Sequence, residues 1–380
     1  MARPAVVFGG PSPEHDISIL TGLQAARALV PKGITEAIYW SKTGKWFQVD
    51  ARLEAKEFIS GVPRGAVPLD LVAEPGGGFR VPARFGAGRT LEISALVNCC
   101  HGGPGEDGTL QAALDLAGIA YTGPGVAGSA LGMDKLAFGG TVAAAGLPSL
   151  PRVLLTRDGP EPSFPGPYIV KPRSGGSSLG VFVVETLADA RELAATHPLL
   201  RGGTVMEPYR ADAVDVNISV RTHPRLQLSA IERPAREGGG AFYAYADKYL
   251  RGGGGLDAAP REMPAALPAP IEEAIRSAAL VIAELVELRS VARIDYLWAG
   301  DDLWVNEVNT IPGALAWYFW AEAGTSLVEL LESMIDEAET TPARRMVTHG
   351  ADGTALRAAG SIANKLGLGG PSAAPSGGRD

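Results

Sequence analysis

Leu303-Trp-Val-Asn-Glu-Val-Asn-Thr-Ile-Pro-Gly313 reads as a hydrophobic strand that carries Glu307 and Asn309 and stops at Pro312-Gly313. Side chains at i and i+2 of a strand share a face, so a carboxylate and an amide oxygen point the same way. Just upstream, Val291-Ala-Arg-Ile-Asp-Tyr-Leu-Trp298 predicts a neighbouring strand with Arg293 and Asp295. A buried carboxylate is costly unless a cation or hydrogen bonds compensate it. Two acids and an amide are the hard-oxygen set that Mg²⁺ favours, usually beside substrate phosphates. A hairpin with its acids on the solvent face is the plainer alternative, although strands disfavour Asp and Asn.

The composition bounds the rest. At 380 residues, with 46% hydrophobic and 20% charged residues, the chain has the make-up of a soluble globular protein of two or three domains. A formal net charge of -8 argues against a nucleic-acid-binding surface. No apolar run approaches the roughly 18 residues of a transmembrane helix, and the N-terminus has no signal-peptide core, so no membrane association is expected. The two cysteines, Cys99 and Cys100, are adjacent; they form neither a disulfide framework nor a zinc pattern, and a reducing cytoplasm fits them as strand-packing residues.

Strand-like segments at Ala5–Phe8, Glu36–Trp40, Trp46–Val49 and Leu96–Cys100 alternate with helix-like Ile17–Leu29 and Leu110–Ala117. They predict an open α/β layer over residues 1–125. Ligands gather at the carboxyl ends of such strands, where Gly9-Gly10 and His101-Gly102-Gly103 fall. Residues 126–212 predict a helix near Asp134, strands at Tyr168–Lys171, Val181–Val184 and Thr204–Glu207, and a helix at Leu187–Ala195. Residues 213–345 predict strand Val214–Val220, a Tyr- and Gly-rich loop from Phe242 to Gly255, helix Ile271–Leu288, the two acidic strands and a helix from Ser326 to Ala338. A tail at 346–380 accumulates Gly, Ser, Ala and Pro, and its last dozen residues are expected to be disordered.

Lys171-Pro-Arg-Ser-Gly-Gly-Ser-Ser-Leu-Gly180 follows an apolar strand. Its glycines let backbone amides approach an anion, the hydroxyls of Ser177 and Ser178 can donate, and Lys171 supplies a point charge. A flexible hairpin loop is the alternative. Gly176-Ser-Ser-Leu-Gly180 also matches the nucleophile elbow of serine hydrolases, but that motif needs a helix after the turn, and Val181–Val184 predicts a strand. Neither a P-loop nor a dinucleotide fingerprint occurs. Lys135 opens a helix-like segment, and Glu207 and Asp215 flank a Pro-Tyr pair; alone, none of the three is remarkable.

Taken in order, these residues resemble the D-alanine–D-alanine ligase family of ATP-grasp enzymes. The matching pieces are Gly9-Gly10 with Glu14-His-Asp-Ile-Ser18, His101-Gly-Gly-Pro-Gly-Glu-Asp-Gly-Thr-Leu-Gln111, Tyr121-Thr-Gly-Pro124, Met133-Asp-Lys135, Lys171-Pro with Gly176–Gly180, Phe242–Leu250, Arg293-Ile-Asp295 and Asn306–Gly313. The resemblance implies an N-terminal α/β domain followed by two α/β or α+β domains that sandwich ATP between antiparallel sheets. Lys135 and Lys171, with Ser178, would contact ATP phosphates, and Glu207 and Asp215 would hold adenine and ribose. Asp295, Glu307 and Asn309 would carry two Mg²⁺ ions, with Mn²⁺ as a substitute. Glu14 would bind the ammonium group of the first amino acid with His101 nearby, Ser177, Lys248 and Tyr249 would help close the site, and Arg293 would stabilise developing charge. Small-molecule amino acids are the implied substrates and a homodimer the implied assembly.

The resemblance breaks after Gly313. The family continues with small hydroxyl residues and a serine that holds the second substrate's carboxylate; here the chain reads Ala314-Leu-Ala-Trp-Tyr318-Phe-Trp320, with Tyr318 at the serine's place. A large apolar wall is expected there. It implies a changed acceptor or a repacked helix start around the same one. A ligase of specialised metabolism and a non-catalytic ATP-binding relative stay open beside the dipeptide ligase.

Overall fold

The computed structural model describes residues 2–86, 88–235, 260–341, 347–359 and 362–365. Lys248, Tyr249 and the loop that carries them, like the end of the tail, lie outside the described residues.

The first sheet takes in β1 (Arg3–Gly9), β2 (Glu36–Trp40), β3 (Trp46–Asp50), β4 (Val67–Val72), β5 (Gly78–Val81), β6 (Arg89–Thr90), β7 (Ile93–Asn98) and β8 (Ala120–Tyr121). Its order is β6-β5-β4-β3-β2-β1-β7-β8. The β2-β1-β7-β8 pairs are parallel, crossed by helices α1 (His15–Leu29) and α2 (Thr109–Ala117). Five successive residues of β1, Ala5 to Gly9, are buried, as a parallel strand covered on both faces requires. Strands β3 to β6 form an antiparallel extension that the sequence pattern does not announce beyond β3. Pro68 within β4, Gly78 at the start of β5 and a two-residue β6 read locally as loop. The strand expected to reach Cys100 ends at Asn98. There the Asn98 side chain accepts from the Cys100 N–H (3.0 Å) and donates to the Gly105 carbonyl (3.0 Å), turning the chain out of the ladder. Cys99 and Cys100 are fully buried, and burial pushes both thiols up, so they are inert packing groups.

The helix expected near Asp134 is two helices, α3 (Val126–Met133) and α4 (Lys135–Ala144). Asp134 is extended (φ -83, ψ 98), and its carboxylate accepts from the Leu136 and Ala137 amides, capping α4 and placing Lys135 in its first turn. The second sheet has the order β11-β10-β12-β9 and is antiparallel throughout: β9 (Val153–Leu154), β10 (Tyr168–Pro172), β11 (Phe182–Val184) and β12 (Thr204–Pro208). Helix α5 (Leu187–Thr196) packs on it.

The third sheet, also antiparallel, has the order β15-β14-β13-β16-β17: β13 (Val214–Arg221), β14 (Gln227–Pro234), β15 (Arg261–Glu262), β16 (Val291–Ala299) and β17 (Asp302–Asn309). Helix α6 (Ala269–Leu285) covers one face, with Ile271, Ile275, Ala279 and Ile282 at helical spacing against Val216, Ile218, Ile294 and Tyr296. That leaves the other face for polar side chains. After β17 come α7 (Trp317–Ala321) and α8 (Leu327–Thr340), the latter opened by a Ser326–Glu329 capping box. Leu330, Leu331, Met334 and Ile335 of α8 share one core with Phe8, Leu29 and Val97, so the C-terminal part of the chain packs beneath the N-terminal sheet. Residues up to Ala343 form one compact unit; the remainder carries two short helices, Thr354–Ala359 and Ile362–Lys365. Among the described residues no helix is long and apolar enough to cross a membrane.

Candidate active site

The open face of the third sheet carries a row of polar side chains. Strand register aligns Glu232 on β14 with Asn217 on β13, Asn217 with Asp295 on β16, and Asp295 with Glu307 on β17. Arg293 faces Asn309 in the next register position. Asp295 is 8% exposed and is held by Arg293 through two bonds of 2.6 and 2.7 Å, with the Asn309 amide 3.0 Å away. Burial opposes the charge on Arg293, but Asp295 outweighs it and keeps the guanidinium firmly protonated. Directly opposed carboxylates destabilise a strand pair unless cations intervene. Asp295, Glu307 and the amide oxygen of Asn309 therefore form an acidic, hard-oxygen set that fits Mg²⁺ chemistry. Among the described residues there is no cluster of three or more His, Cys, Asp and Glu that would hold a metal unaided by such an amide.

Two lysines reach this row from elsewhere. The Lys135 ammonium lies 3.6 Å from Glu307 and also donates to the Gly175 carbonyl of the glycine-serine loop. Lys171, at the end of β10, donates to Glu207 at 2.8 Å and lies 3.5 Å from the Asn306 side-chain oxygen. Glu207 is 3% exposed and is paired with Arg152 as well, at 2.8 Å. Burial alone would push Glu207 up and Lys171 down; the cations overturn this for Glu207, whose pKa stays below the usual carboxylate range, whereas Lys171 stays below its ordinary value. Arg152 is absent from the sequence-derived set, yet it knits the site together. Its guanidinium also donates to the Lys135 carbonyl (2.7 Å) and the Asn306 carbonyl (2.5 Å). Gly139 makes room for it, because a Cβ there would sit 2.8 Å from the Arg152 Nε.

The glycine-serine loop joins β10 to β11, so the nucleophile-elbow match has a strand where a helix would be needed. Ser177 and Ser178 both adopt left-handed backbone (φ 53 and 59), which turns the loop over the cleft. The Ser177 hydroxyl donates to the Glu14 carboxylate. A Cβ on Gly176 would meet that carboxylate at 2.9 Å, so only glycine lets the loop approach so closely.

Glu14 and His101 sit at the carboxyl ends of β1 and β7, where an open parallel sheet collects ligands. The His101 Nδ1 is 2.8 Å from the Ile311 carbonyl, so it carries the proton, and Nε2 accepts from the Thr21 hydroxyl at 2.8 Å. Both nitrogens are thus spent within the protein, and the ring fastens the N-terminal loop to the turn after β17. Glu106, also outside the sequence-derived set although it lies inside the His101–Gln111 motif, makes the same junction. It accepts from the amides of Gly102 (2.9 Å) and Ile311 (3.0 Å) and the hydroxyl of Thr310 (3.2 Å).

Burial depresses His101 to about 4. Burial, with Glu14 adding to it, raises Glu106 to about 7. Between pH 6.5 and 4 the unfolded chain binds the extra His proton, so stability falls with falling pH. Between pH 4.5 and 7 the folded chain holds the extra Glu106 proton, so stability falls with rising pH. Each effect is about 3 kcal/mol at full extent, and they oppose each other where the windows overlap. Glu106→Gln is expected to unmask the histidine. In urea unfolding, the variant loses about 2 kcal/mol more than the wild type between pH 6.5 and 4.5. Superimposable pH profiles for the two proteins would contradict the opposed pair.

The aromatic stretch after Gly313 departs from the expected wall. Leu315, Tyr318, Phe319 and Trp320 all belong to the core shared with α8, and of these only Tyr318 also lines the cleft, with Gly313. Three successive left-handed residues, Ala314 to Ala316 (φ 50, 52 and 49), redirect the chain before α7, which spans little more than one turn. Tyr318 is 7% exposed, stacked on Phe319 (4.7 Å) and capped by the Arg261 guanidinium at 4.0 Å from the ring centroid. Lys135, Lys171, Glu207 and Asp215 line the same cleft as Glu14 and His101. So do Ser177, Ser178, Arg293, Asp295, Glu307 and Asn309.

Two antiparallel sheets flanking a cleft with convergent lysines and acids define an ATP-grasp fold, and solved structures share it. A D-alanine-D-alanine ligase from Helicobacter pylori superposes with a TM-score of 0.69 at 24% identity, covering 91% of this chain and all (100%) of that one. VanG D-Ala:D-Ser ligase from Enterococcus faecalis gives 0.71 at 25% identity, covering 89% and 99%. The family models described as D-ala D-ala ligase N-terminus and C-terminus match residues 3–124 and 160–336. The D-alanine--D-alanine ligase of Mycobacterium tuberculosis is 35% identical over 381 residues, spanning 91% of this chain and 97% of that protein. One from Bradyrhizobium is 31% identical over 365 residues, spanning 90% and 96%. The chain belongs to the D-alanine–D-alanine ligase family and is an ATP-dependent ligase that forms a carbon–nitrogen bond.

Proposed function

We propose that this ligase joins two molecules of D-alanine, activating the first as an acyl phosphate, and that it does so in the cytoplasm, as a homodimer, for cell-wall precursor synthesis. One observation carries the proposal: Glu14, the two lysines and the acidic row converge on a single cleft, so an amino acid and a triphosphate have complementary charges facing them. A carboxylate is a poor electrophile, and phosphorylation by ATP makes it reactive. Asp295, Glu307 and Asn309 would hold two Mg²⁺ ions, which when bound offset charge on the triphosphate. Lys135 and Lys171 reinforce that charge balance, and Ser178 donates to phosphate oxygens. Glu207 and Asp215 hold adenine and ribose from the far end. Glu14 takes the ammonium group of the first amino acid. Arg293, anchored on Asp295, stabilises the charge that develops when the second amine attacks. The Ser177 loop excludes water, which would otherwise hydrolyse the acyl phosphate. Placing both substrates together supplies much of the acceleration.

A different acceptor is the second reading, favoured by Tyr318 in the serine's place. The expected result is phosphate release that requires Mg²⁺, ATP and D-alanine together, with D-Ala-D-Ala as the product by mass spectrometry. Release without dipeptide, but with another amine present, would favour the second reading. ATP binding without any release across an amino-acid panel would overturn both.

Ser177→Ala removes the hydroxyl that holds Glu14. A hydrogen bond to a charged group contributes about 1.5–3 kcal/mol, so the KM of the first amino acid should rise roughly 10- to 100-fold with little change in folding stability. An unchanged KM would separate Ser177 from substrate binding.

A further inference from the structure

The acidic row does not end at Glu232. Across the β14-β15 pair Pro234 faces Arg261, and the Arg261 guanidinium returns over the sheet to lie 3.4 Å from Glu232 and 4.0 Å from the centre of the Tyr318 ring. Glu232 is meanwhile held by the Asn217 amide at 3.1 Å. Arg261, Glu232, Tyr318 and Arg293 all line the cleft. Arg293 has its fork committed to Asp295. The ring that replaces the family's serine therefore comes with a second guanidinium over it, 4.0 Å from its centroid. The Tyr318 hydroxyl is a single donor, whereas a carboxylate presents two oxygens, and burying an unmatched carboxylate costs a few kcal/mol. A guanidinium supplies the missing donors, and stacking on an aromatic face is the arrangement that holds it ready.

We infer that Arg261, propped on Tyr318 and steadied by Glu232, is the specificity residue that receives the carboxylate of the acceptor amino acid in this chain. The inference rests on the dipeptide-ligase proposal and deepens it: the acceptor stays an α-amino acid, although the family's serine is gone. Burial pushes the Glu232 carboxyl up despite Arg261, Arg293 and Asn217, and its contact with Arg261 is long, at 3.4 Å, so an incoming carboxylate can share the guanidinium with it. The sequence offers no cue, because Arg261 stands in a Pro-flanked segment without periodicity.

The test is a competition between two acceptors in one tube, D-alanine and D-alaninamide at equal concentration with Mg²⁺-ATP. D-alaninamide cannot be activated, since its carboxyl is blocked, so it reports on the acceptor site alone. The wild type is expected to make mostly the free dipeptide. In Arg261→Met the ratio of free dipeptide to dipeptide amide should fall by roughly 10- to 100-fold, the range of one hydrogen bond to a charged group. The KM of ATP should stay within about 3-fold, under half a factor of ten or about 0.7 kcal/mol. Arg261→Lys, which keeps the charge, should restore most of the selectivity and shows whether the fold tolerates change at this position. An unchanged product ratio in both variants overturns the inference and leaves the ligase proposal standing. A wild type that makes neither product, yet releases phosphate with another amine, overturns the D-alanine proposal and this inference with it.

Discussion

Glu307→Gln is expected to abolish most turnover while leaving the fold intact. Glu307 sits opposite Asp295 on the β16-β17 pair, 3.6 Å from Lys135, with its side chain 23% exposed. Replacing its carboxylate by an amide keeps the shape and removes the charge that a divalent cation requires. Charge stabilisation at a phosphoryl-transfer centre amounts to several kcal/mol, and about 4 kcal/mol corresponds to roughly a thousandfold in rate. The substitution also relieves repulsion between facing carboxylates, so the metal-free variant should unfold within about 1 kcal/mol of the wild type, or slightly later. Two measurements check it: kcat/KM for phosphate release, and the thermal shift on adding Mg²⁺-ATP. A variant with near-normal turnover would remove Glu307 from the catalytic machinery.

Arg152→Met should produce the largest loss of stability. Its guanidinium pairs with Glu207 at 2.8 Å, deep in the protein, and bonds the backbone of two separate elements. Breaking a buried pair by removing one partner costs about 3–5 kcal/mol, because the other charge remains buried. Glu207 would keep Lys171, which limits the damage to that range. Arg152→Lys does not restore it, since Arg152 reaches Glu207 and the two carbonyls from three separate nitrogens and a lysine has only one. The variant should also bind ATP more weakly, because Arg152 ties Lys135 to the Asn306 backbone beside the acidic row. Urea unfolding measures the first effect and nucleotide titration the second. A change below about 1 kcal/mol would mean that Arg152 is dispensable.

The parts of the site legible in the sequence are those whose chemistry conflicts with their local context. Asp295, Glu307 and Asn309 stand out because acids and amides are out of place on apolar strands. Lys171 stands out at a strand end before a glycine-serine loop. Their convergence could be anticipated from the order of the motifs, and the structure brings them to one cleft. Arg152, Asn217, Glu232 and Arg261 were silent because each is defined by partners distant in the chain. Arg152 meets Asn306 across 154 positions, and Arg152 lies in a Pro-rich segment with no periodicity. Strand β14 went unseen because its charged and apolar residues do not alternate cleanly. The aromatic run after Gly313 misled in the opposite direction. Bulk in sequence suggested a wall, but the left-handed turn at Ala314–Ala316 and one turn of helix send most of the rings into the core. A short apolar run does not disclose which of its residues face a site.

In the proposed reaction ATP activates the carboxylate of one D-alanine for attack by the amine of another. D-alanine labelled with ¹⁸O in its carboxyl group tests this directly. Transfer of the γ-phosphoryl group to a carboxylate oxygen, followed by amine attack, carries that oxygen away on phosphate. One ¹⁸O atom is expected in the inorganic phosphate for each D-Ala-D-Ala formed, and none without dipeptide. Unlabelled phosphate accompanying the dipeptide would contradict it.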